Sequence, residues 1–129
     1  MTTAVDRPLR VVVADDSFLL RAGVVRVLEE TGFVVAGEAR DAEELLAQAR
    51  EHRPDVVVVD PRLPEVDGGV SFIAELRVSC PDTRILAMSW SDALERPAID
   101  GGAHGFVRKT FRPTELIAAI LAAGRAADA

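Results

Sequence analysis

The sequence predicts an α/β fold in which five short strands alternate with five helices. The runs Val11–Ala14 and Val56–Val59 are apolar at every position, which is typical of strands buried on both faces of a parallel sheet. Between such runs, apolar residues recur every three or four positions, as they do in amphipathic helices. This alternation favours a parallel sheet with right-handed crossovers and helices on both of its faces.

Five segments fit strands by their length and by the polar or turn-forming residues that bound them. They are Leu9–Ala14, Phe33–Ala36, Asp55–Val59, Arg84–Met88 and Gly105–Val107. Because no repeat or linker interrupts the pattern, we expect one domain over residues 9–123. We expect residues 1–8 to be disordered and residues 124–129 to form a tail or the start of a linker.

The first two helices have recognisable ends. A stripe that includes Leu20, Val24 and Leu28 predicts the first helix, and Gly32 is expected to end it. Asp41 precedes the second helix as its N-cap, and Glu44 follows three residues later in the capping-box pattern.

The last three helices differ in strength. Phe72, Ile73 and Leu76 predict the third, and the stripe Leu116–Leu121 predicts the fifth, with Pro113 in its first turn. The fourth, over residues 92–100, contains a proline, which costs about 3 kcal/mol in a helix interior and less in the first turn. We expect this helix to be short, imperfect and mobile.

Composition excludes several classes of function. The 129 residues are 49% hydrophobic and carry a formal net charge of -6, so a basic face for direct nucleic-acid contact is not expected. The sequence lacks a membrane-spanning apolar run and a signal peptide. The single cysteine, Cys80, is interpreted as a small apolar residue, and a cytoplasmic location is the simplest one.

Acidic residues follow two of the strands directly. Asp15 and Asp16 end the first strand, and Asp60 ends the third. In a doubly wound sheet of order 2-1-3-4-5, these strands are neighbours and their carboxyl ends meet at one edge. Mg²⁺ prefers such oxygen ligands. The alternative is that each aspartate only caps the helix that follows it.

A nucleophile, a cation and a hydroxyl group are expected to lie at the same edge of the sheet. Asp60 is the candidate nucleophile, since an aspartate that attacks phosphorus forms an acyl phosphate. Lys109, the only lysine among the 15 basic residues, follows the fifth strand, and Ser89 follows the fourth. A positive charge such as that of Lys109 stabilises a phosphoryl group during its transfer. His52 and His104 have no neighbouring metal-ligand residues, and we interpret both as solvated.

Four motifs lie at these strand ends: Val-Ala-Asp-Asp at 13–16, Val-Asp-Pro-Arg-Leu-Pro-Glu-Val-Asp-Gly at 59–68, Met-Ser at 88–89 and Gly-Ala-His-Gly-Phe-Val-Arg-Lys at 102–109. Together they resemble the receiver domain of bacterial two-component response regulators. The resemblance covers the chain from about Leu9 to Leu121 and implies a flavodoxin-like fold. It also implies that Asp15 and Asp16 are the acidic pair for Mg²⁺, that Asp60 accepts the phosphoryl group and helps to bind the metal, and that Ser89 and Lys109 bind the phosphoryl oxygens.

Two further positions acquire a role through the resemblance, and three depart from it. Arg62 would give its backbone carbonyl to Mg²⁺, and Phe106 matches the aromatic residue that changes rotamer with Ser89 on activation; the alternative is a plain core residue. Thr110 replaces a proline that often follows a cis bond, so we expect a trans peptide or a strained one. Pro61 and Trp90 stand where smaller or aliphatic residues are usual, and both are candidates for controlling access to the site.

The resemblance implies a phosphoacceptor domain that receives its phosphoryl group from a sensor histidine kinase. It would switch a surface formed by the fourth helix, fifth strand and fifth helix, and act on transcription through an output domain or downstream protein outside this chain. A homodimer would use that surface or the first and fifth helices. It would catalyse its own phosphorylation and dephosphorylation without being a metabolic enzyme.

Three other functions are alternatives to this one. The first is an atypical or stand-alone receiver that acts as an interaction module with little phosphorylation. The second is a metal-dependent phosphatase, but Arg62 occupies the place of its usual acid/base aspartate. The third is a flavin or dinucleotide binder, which would need a phosphate loop where this chain has acidic residues.

Overall fold

A computed structural model describes residues 7–63, 71–110 and 112–126. Within these residues the strands are Arg10–Ala14 (β1), Val34–Ala39 (β2), Val56–Val59 (β3), Arg84–Ser89 (β4) and Gly105–Arg108 (β5). The helices are Phe18–Glu30 (α1), Ala42–His52 (α2), Ser71–Ser79 (α3), Glu95–Asp100 (α4) and Pro113–Ala126 (α5). The predicted segment 1–8, motif residues 64–68 and tail 124–129 lie wholly or partly outside the described residues.

The strands form one parallel sheet in the order β2-β1-β3-β4-β5, which confirms the predicted topology. Every residue of β1 from Val11 onwards and every residue of β3 is buried. Successive side chains of a strand point to opposite faces, so Val12 and Val57 pack against α2 and α3, whereas Val11 and Val56 pack against α1 and α5. The continuous apolar runs are thus explained by helices on both faces.

The second strand is longer than the sequence pattern predicts. It continues past Ala36 to Ala39, and the register shifts where Val11 pairs with Val35 and Val12 with Gly37. One residue, Ala36, is therefore extra on β2, as in a β-bulge. A Cβ atom at Gly37 would collide with the Gln48 side chain of α2, so this glycine permits close packing of the helix on the strand.

The ends of the first two helices follow the predicted chemistry, with one difference. Gly32, at φ 96°, donates to the Glu29 carbonyl, and Phe33 donates to that of Leu28; this pair of bonds is a Schellman motif. Asp41 caps α2 through the Glu44 N–H at 2.8 Å. The Glu44 carboxylate, however, accepts from the N–H of Arg40 rather than from that of Asp41.

The fourth helix is short and irregular, as predicted. A 3-10 turn over Asp92–Leu94, capped by the Ser91 hydroxyl, leads into the six residues of α4. Pro97 is the third residue of α4 and lies in its first turn, where backbone N–H groups have no partner inside the helix. The proline is therefore tolerated. The mobility of this segment remains a prediction.

The interpretation of His104 as a solvated side chain is only partly correct, because the residue is half-buried and its ring forms a hydrogen bond. The backbone N–H of His104 donates to the Ile85 carbonyl at 2.8 Å, and the ring Nδ1 of His104 accepts from the Ile85 backbone N–H at 2.9 Å. Burial, followed by the charges of Arg84 and Arg77, lowers the pKa of His104 to about 4. Because Nδ1 must be unprotonated to accept a hydrogen bond, the ring is neutral in this arrangement. The two hydrogen bonds extend the β4–β5 ladder by one residue.

Candidate functional site

The carboxyl ends of four adjacent strands position the predicted site residues. Asp15 follows β1, Asp60 follows β3, Ser89 ends β4 and Lys109 follows β5. Backbone hydrogen bonds hold these ends together: the Asp60 N–H donates to Ala14 at 3.2 Å and the Lys109 N–H to Ser89 at 2.9 Å. The sheet order alone therefore brings these side chains to one edge.

Lys109 bridges two buried carboxylates. Its Nζ lies 2.7 Å from Asp60 Oδ2 and 2.7 Å from Asp15 Oδ2. The three side chains are only 3%, 11% and 1% exposed for Lys109, Asp60 and Asp15. Charges this well buried are normally paired, and here one ammonium serves two carboxylates. The cluster therefore keeps a surplus of negative charge.

The other carboxylate oxygens are fixed by backbone donors. Asp60 Oδ1 accepts from the Arg62 N–H at 2.8 Å, and Asp15 Oδ1 accepts from the Ser17 N–H at 2.9 Å. The Leu63 N–H also donates to the Asp60 carbonyl at 3.0 Å. Both carboxylates are held in tight turns, so their orientation does not depend on Lys109 alone.

One buried oxygen is left without a well-directed hydrogen bond. Asp15 Oδ2 has its ion-pair contact with Lys109, but the angles of that contact do not satisfy a hydrogen bond. A buried carboxylate oxygen in this state can accept a cation without losing a donor. Asp15 and Asp60 thus fit Mg²⁺, which takes one or two carboxylates together with water.

The remaining metal-site predictions receive less support from the geometry. Asp16 is exposed at the end of β1, and Arg62 approaches Asp60 through its N–H. In the part of the chain that is described, no three Asp, Glu, His or Cys residues form a cluster that could hold a metal ion. Roles for Asp16 and for the Arg62 carbonyl therefore remain predictions.

Ser89 and Phe106 lie on neighbouring strands. Ser89 is fully buried, and its hydroxyl oxygen accepts from the Ser91 N–H at 3.2 Å. Phe106 is half-buried on β5 and packs against the apolar cluster beneath α2, α3 and α4. Both positions are compatible with the predicted switch, and Phe106 also serves as a core residue.

Trp90 lies beside the site. Trp90 is 45% exposed, and the Lys109 Nζ lies 5.6 Å from the centroid of the Trp90 ring. This distance is within the range of a cation–π interaction. Sequence alone could not determine which way the ring points; in the structure it lies next to the ammonium.

Pro61 and Thr110 each have a structural role. Pro61 is buried at the second position of the turn that starts at Asp60, a position that suits its fixed φ. The Lys109–Thr110 peptide is trans, like every other peptide bond among the described residues. The Thr110 hydroxyl donates to Glu115 at 3.0 Å and accepts from the Arg112 N–H at 3.2 Å, so it helps to hold the start of α5.

An apolar groove of about 450 Å³ adjoins the site between α1 and α5. Leu20, Val24 and Leu116 contribute to its walls, and Trp90 and Lys109 lie at its end near the carboxylates. The sequence pattern does not reveal this groove, because its lining combines two helices that are distant along the chain.

Sequence reasoning missed two residues that support Asp15. Ser17 both donates its N–H to Asp15 and caps α1 through the Leu20 N–H at 3.2 Å. Arg21 donates to the Asp15 carbonyl at 2.7 Å and pairs with Glu38 at 3.0 Å. The spacing Asp-x-Ser is typical of such a turn, but nothing in the sequence pointed to Arg21.

Comparison with known proteins gives the family. The response regulator receiver domain matches residues 11–121 of this chain. The chain belongs to this family. The family is that of two-component signalling domains, which generally use Mg²⁺ for phosphorylation and interact with histidine kinases and output domains.

Three relatives illustrate the match. The transcriptional regulatory protein PdtaR of Mycobacterium tuberculosis is 39% identical over 115 residues, which are 88% of this chain and 55% of PdtaR. The receiver domain of the putative response regulator NarL from the same species is 37% identical at a TM-score of 0.84, covering 92% of this chain and 98% of that domain. The chemotaxis protein CheY of Thermotoga maritima is 31% identical over 86% of this chain and 93% of CheY.

The chain spans about half the length of the curated transcriptional regulators that it matches. Over the described residues, each helix is too short or too polar to cross a bilayer.

Proposed function

We propose that this receiver domain accepts a phosphoryl group on Asp60 from a sensor histidine kinase. The observation that carries the proposal is the buried bridge from Lys109 to Asp60 and Asp15, at 2.7 Å in each case. A cation held against a carboxylate at the sheet edge suits a reaction in which negative charge accumulates on phosphoryl oxygens.

In the transfer, Asp60 Oδ2 forms a bond to phosphorus while the bond from phosphorus to the kinase imidazole nitrogen breaks. The imidazole leaves with the electron pair, and Asp60 becomes an acyl phosphate. The Arg62 N–H holds Oδ1, and Oδ2, which accepts from the Lys109 ammonium, is the attacking atom. Lys109 stabilises the phosphoryl oxygens by its charge, and the Ser89 hydroxyl donates a hydrogen bond to one of them.

Mg²⁺ would be held by Asp15 and Asp60, with Asp16 and the Arg62 backbone carbonyl as further ligands. When bound, it supplies positive charge that neutralises the phosphoryl oxygens. Asp15 Oδ2 supports this assignment, because it contacts Lys109 without a well-directed hydrogen bond and can therefore also accept a metal ion.

The readout would be a change on the surface formed by α4, β5 and α5, with Ser89 and Phe106 as the switch pair. The names of PdtaR and NarL support a role in transcription, exerted through a further domain or a downstream protein. The net charge of -6 argues against direct nucleic-acid contact by this domain. We also propose a cytoplasmic location, and a homodimer through α4, β5 and α5 or through α1 and α5.

The test is phosphorylation in vitro. The protein is incubated with Mg²⁺ and acetyl phosphate, or with an autophosphorylated histidine kinase, and its intact mass is measured. Wild type should gain one phosphoryl group and Asp60→Asn none, whereas the control Asp82→Asn, at an exposed turn, should behave as wild type. Equal modification of Asp60→Asn and wild type would refute the assignment. The absence of any modification would favour an interaction module.

A further inference from the structure

Among the described residues, the Lys109 ammonium contacts two carboxylates and one aromatic ring. Asp15 Oδ2 and Asp60 Oδ2 each lie 2.7 Å from Nζ, and the Trp90 ring centroid lies 5.6 Å away. The carboxylates are buried, whereas Trp90 is 45% exposed. The ammonium thus contacts both carboxylate oxygens and lies within cation–π range of the indole ring.

Lys109 occupies the oxygens that a divalent cation would require. A cation that is held by Asp15 and Asp60 would bind the same two carboxylates, and two positive charges so close together repel each other. The ammonium must then give up part of its contact with the carboxylates. Its flexible four-carbon stem allows it to move, but a displaced ammonium needs another partner.

We propose that Trp90 is a positioning residue for Lys109, and that its indole face supports the ammonium when a divalent cation takes over the two carboxylates. This inference rests on the proposed Mg²⁺-dependent function of the same site. The negative face of an indole is the strongest of the aromatic partners for a cation. The ring is already within cation–π range of Nζ, so a small movement is sufficient.

Backbone hydrogen bonds place the residue Trp90 next to Lys109. The Lys109 N–H donates to the carbonyl of Ser89, the residue before Trp90, at 2.9 Å. The Arg108 guanidinium donates to the Trp90 carbonyl at 3.3 Å. Trp90 and Lys109 therefore directly follow the paired ends of β4 and β5, where Ser89 pairs with Arg108, so their backbones stay adjacent.

The test changes the electrostatics of the ring without changing its shape. Trp90 is the only tryptophan in the chain, so growth on 5-fluorotryptophan or 5,6-difluorotryptophan labels this position alone. Fluorine weakens the negative face of the indole. Mg²⁺ affinity, measured by calorimetry, should fall progressively with fluorination, and Trp90→Leu should lower it about two- to five-fold.

A matched background isolates the contribution of the lysine. In Lys109→Met no ammonium needs support, so fluorination should leave Mg²⁺ affinity unchanged, and circular dichroism verifies that this variant is folded. If Lys109→Met does not fold, the fluorinated wild-type series decides the question. Unchanged or tighter Mg²⁺ binding after fluorination would overturn the inference, since tighter binding would mean that the ring holds the ammonium on the carboxylates.

The outcome is separable from that of the proposed function. Phosphorylation of Asp60 is measured by intact mass on the same preparations. If the protein is phosphorylated on Asp60 but binds Mg²⁺ equally well with unlabelled and with fluorinated Trp90, only the role of Trp90 is refuted. A wild type that binds no Mg²⁺ refutes both.

Discussion

The Lys109 ammonium lies 2.7 Å from Asp60, so an ion pair spans from the end of β5 to the end of β3 above the intervening strand β4. The same ammonium lies 2.7 Å from Asp15 on β1. One side chain therefore links the ends of three strands whose residues are distant in the sequence. Its contribution to folding can be separated from its proposed role in phosphoryl transfer.

Replacing Lys109 with methionine should destabilise the protein. The substitution leaves two buried carboxylates without their shared cation, and breaking a buried pair typically costs about 3–5 kcal/mol. We expect a loss of about 3 kcal/mol in the free energy of unfolding, measured by urea denaturation without Mg²⁺. Arg112→Met is the matched control: its side chain is 75% exposed and pairs with Glu115 at 3.4 Å, so it should cost less than about 1 kcal/mol. Similar losses of unfolding free energy in both variants would show that the buried ion pairs of Lys109 contribute no more to stability than an exposed ion pair.

Removing the cap of α2 should cost less. Asp41 accepts the Glu44 N–H at 2.8 Å, and loss of such a cap costs about 1 kcal/mol. Asp41→Ala should therefore lower the urea midpoint, while Asp41→Asn, which keeps an acceptor oxygen, should stay close to wild type. If Asn were as costly as Ala, the charge rather than the hydrogen bond would be the source of the stability.

The sequence predicted most of the fold because its strongest signals are local. The runs at β1 and β3, Gly32 and Asp41 each indicate their structure within a few residues. The bulge at Ala36 was missed, because it depends on how β2 pairs with β1, which no local pattern reveals. The ring hydrogen bond of His104 was missed for the same reason.

The candidate site was predicted in part. Strand order accounts for Asp15, Asp60, Ser89 and Lys109, whose positions follow from the sheet. Side-chain direction does not follow from it, so the sequence could not predict that the Trp90 ring lies beside Lys109. The support of Asp15 by Arg21 depends on where α1 packs, which is likewise not encoded in a short motif.

Because of His104, the stability of the protein should decrease as the pH is lowered. The pKa of His104 is about 4 in the folded protein, against 6.5 for an unperturbed histidine. Between these values the unfolded chain binds a proton that the folded one does not, so the contribution is complete above pH 6.5 and is lost as pH falls to about 4. Since the ring is partly exposed, solvent screening reduces the effect to about 1 kcal/mol.

Urea denaturation between pH 4 and 7 measures this contribution. His104→Asn keeps an acceptor for the Ile85 N–H but cannot titrate, so it should flatten the decline in stability. His52→Asn removes the other histidine and should retain the decline. A steep decline in His104→Asn would assign the acid sensitivity to other groups.

Trp90 should slow both phosphorylation by small donors and loss of the phosphoryl group. Its ring lies 5.6 Å from Lys109 and forms part of the wall of the groove beside the site. A planar ring in this place restricts the approach of acetyl phosphate to Asp60 and of the water that hydrolyses the acyl phosphate. Trp90→Ala should therefore be phosphorylated faster and dephosphorylated faster than wild type. Both rates are measured at saturating Mg²⁺, so that any change in metal affinity does not contribute.

The alternative for Trp90 is an anchor for a partner protein, since exposed tryptophan is favoured at interfaces. The two roles predict different results. An access role requires both rates to rise by more than about twofold, a barrier change of about 0.4 kcal/mol. An anchor leaves both rates unchanged and instead weakens binding to the histidine kinase, measured by calorimetry with the unphosphorylated kinase. Leu19→Ala, at an exposed position on the wall of the same groove, is the control for a change in the groove that leaves the ring in place. Rates that stay within twofold in Trp90→Ala would refute the access role.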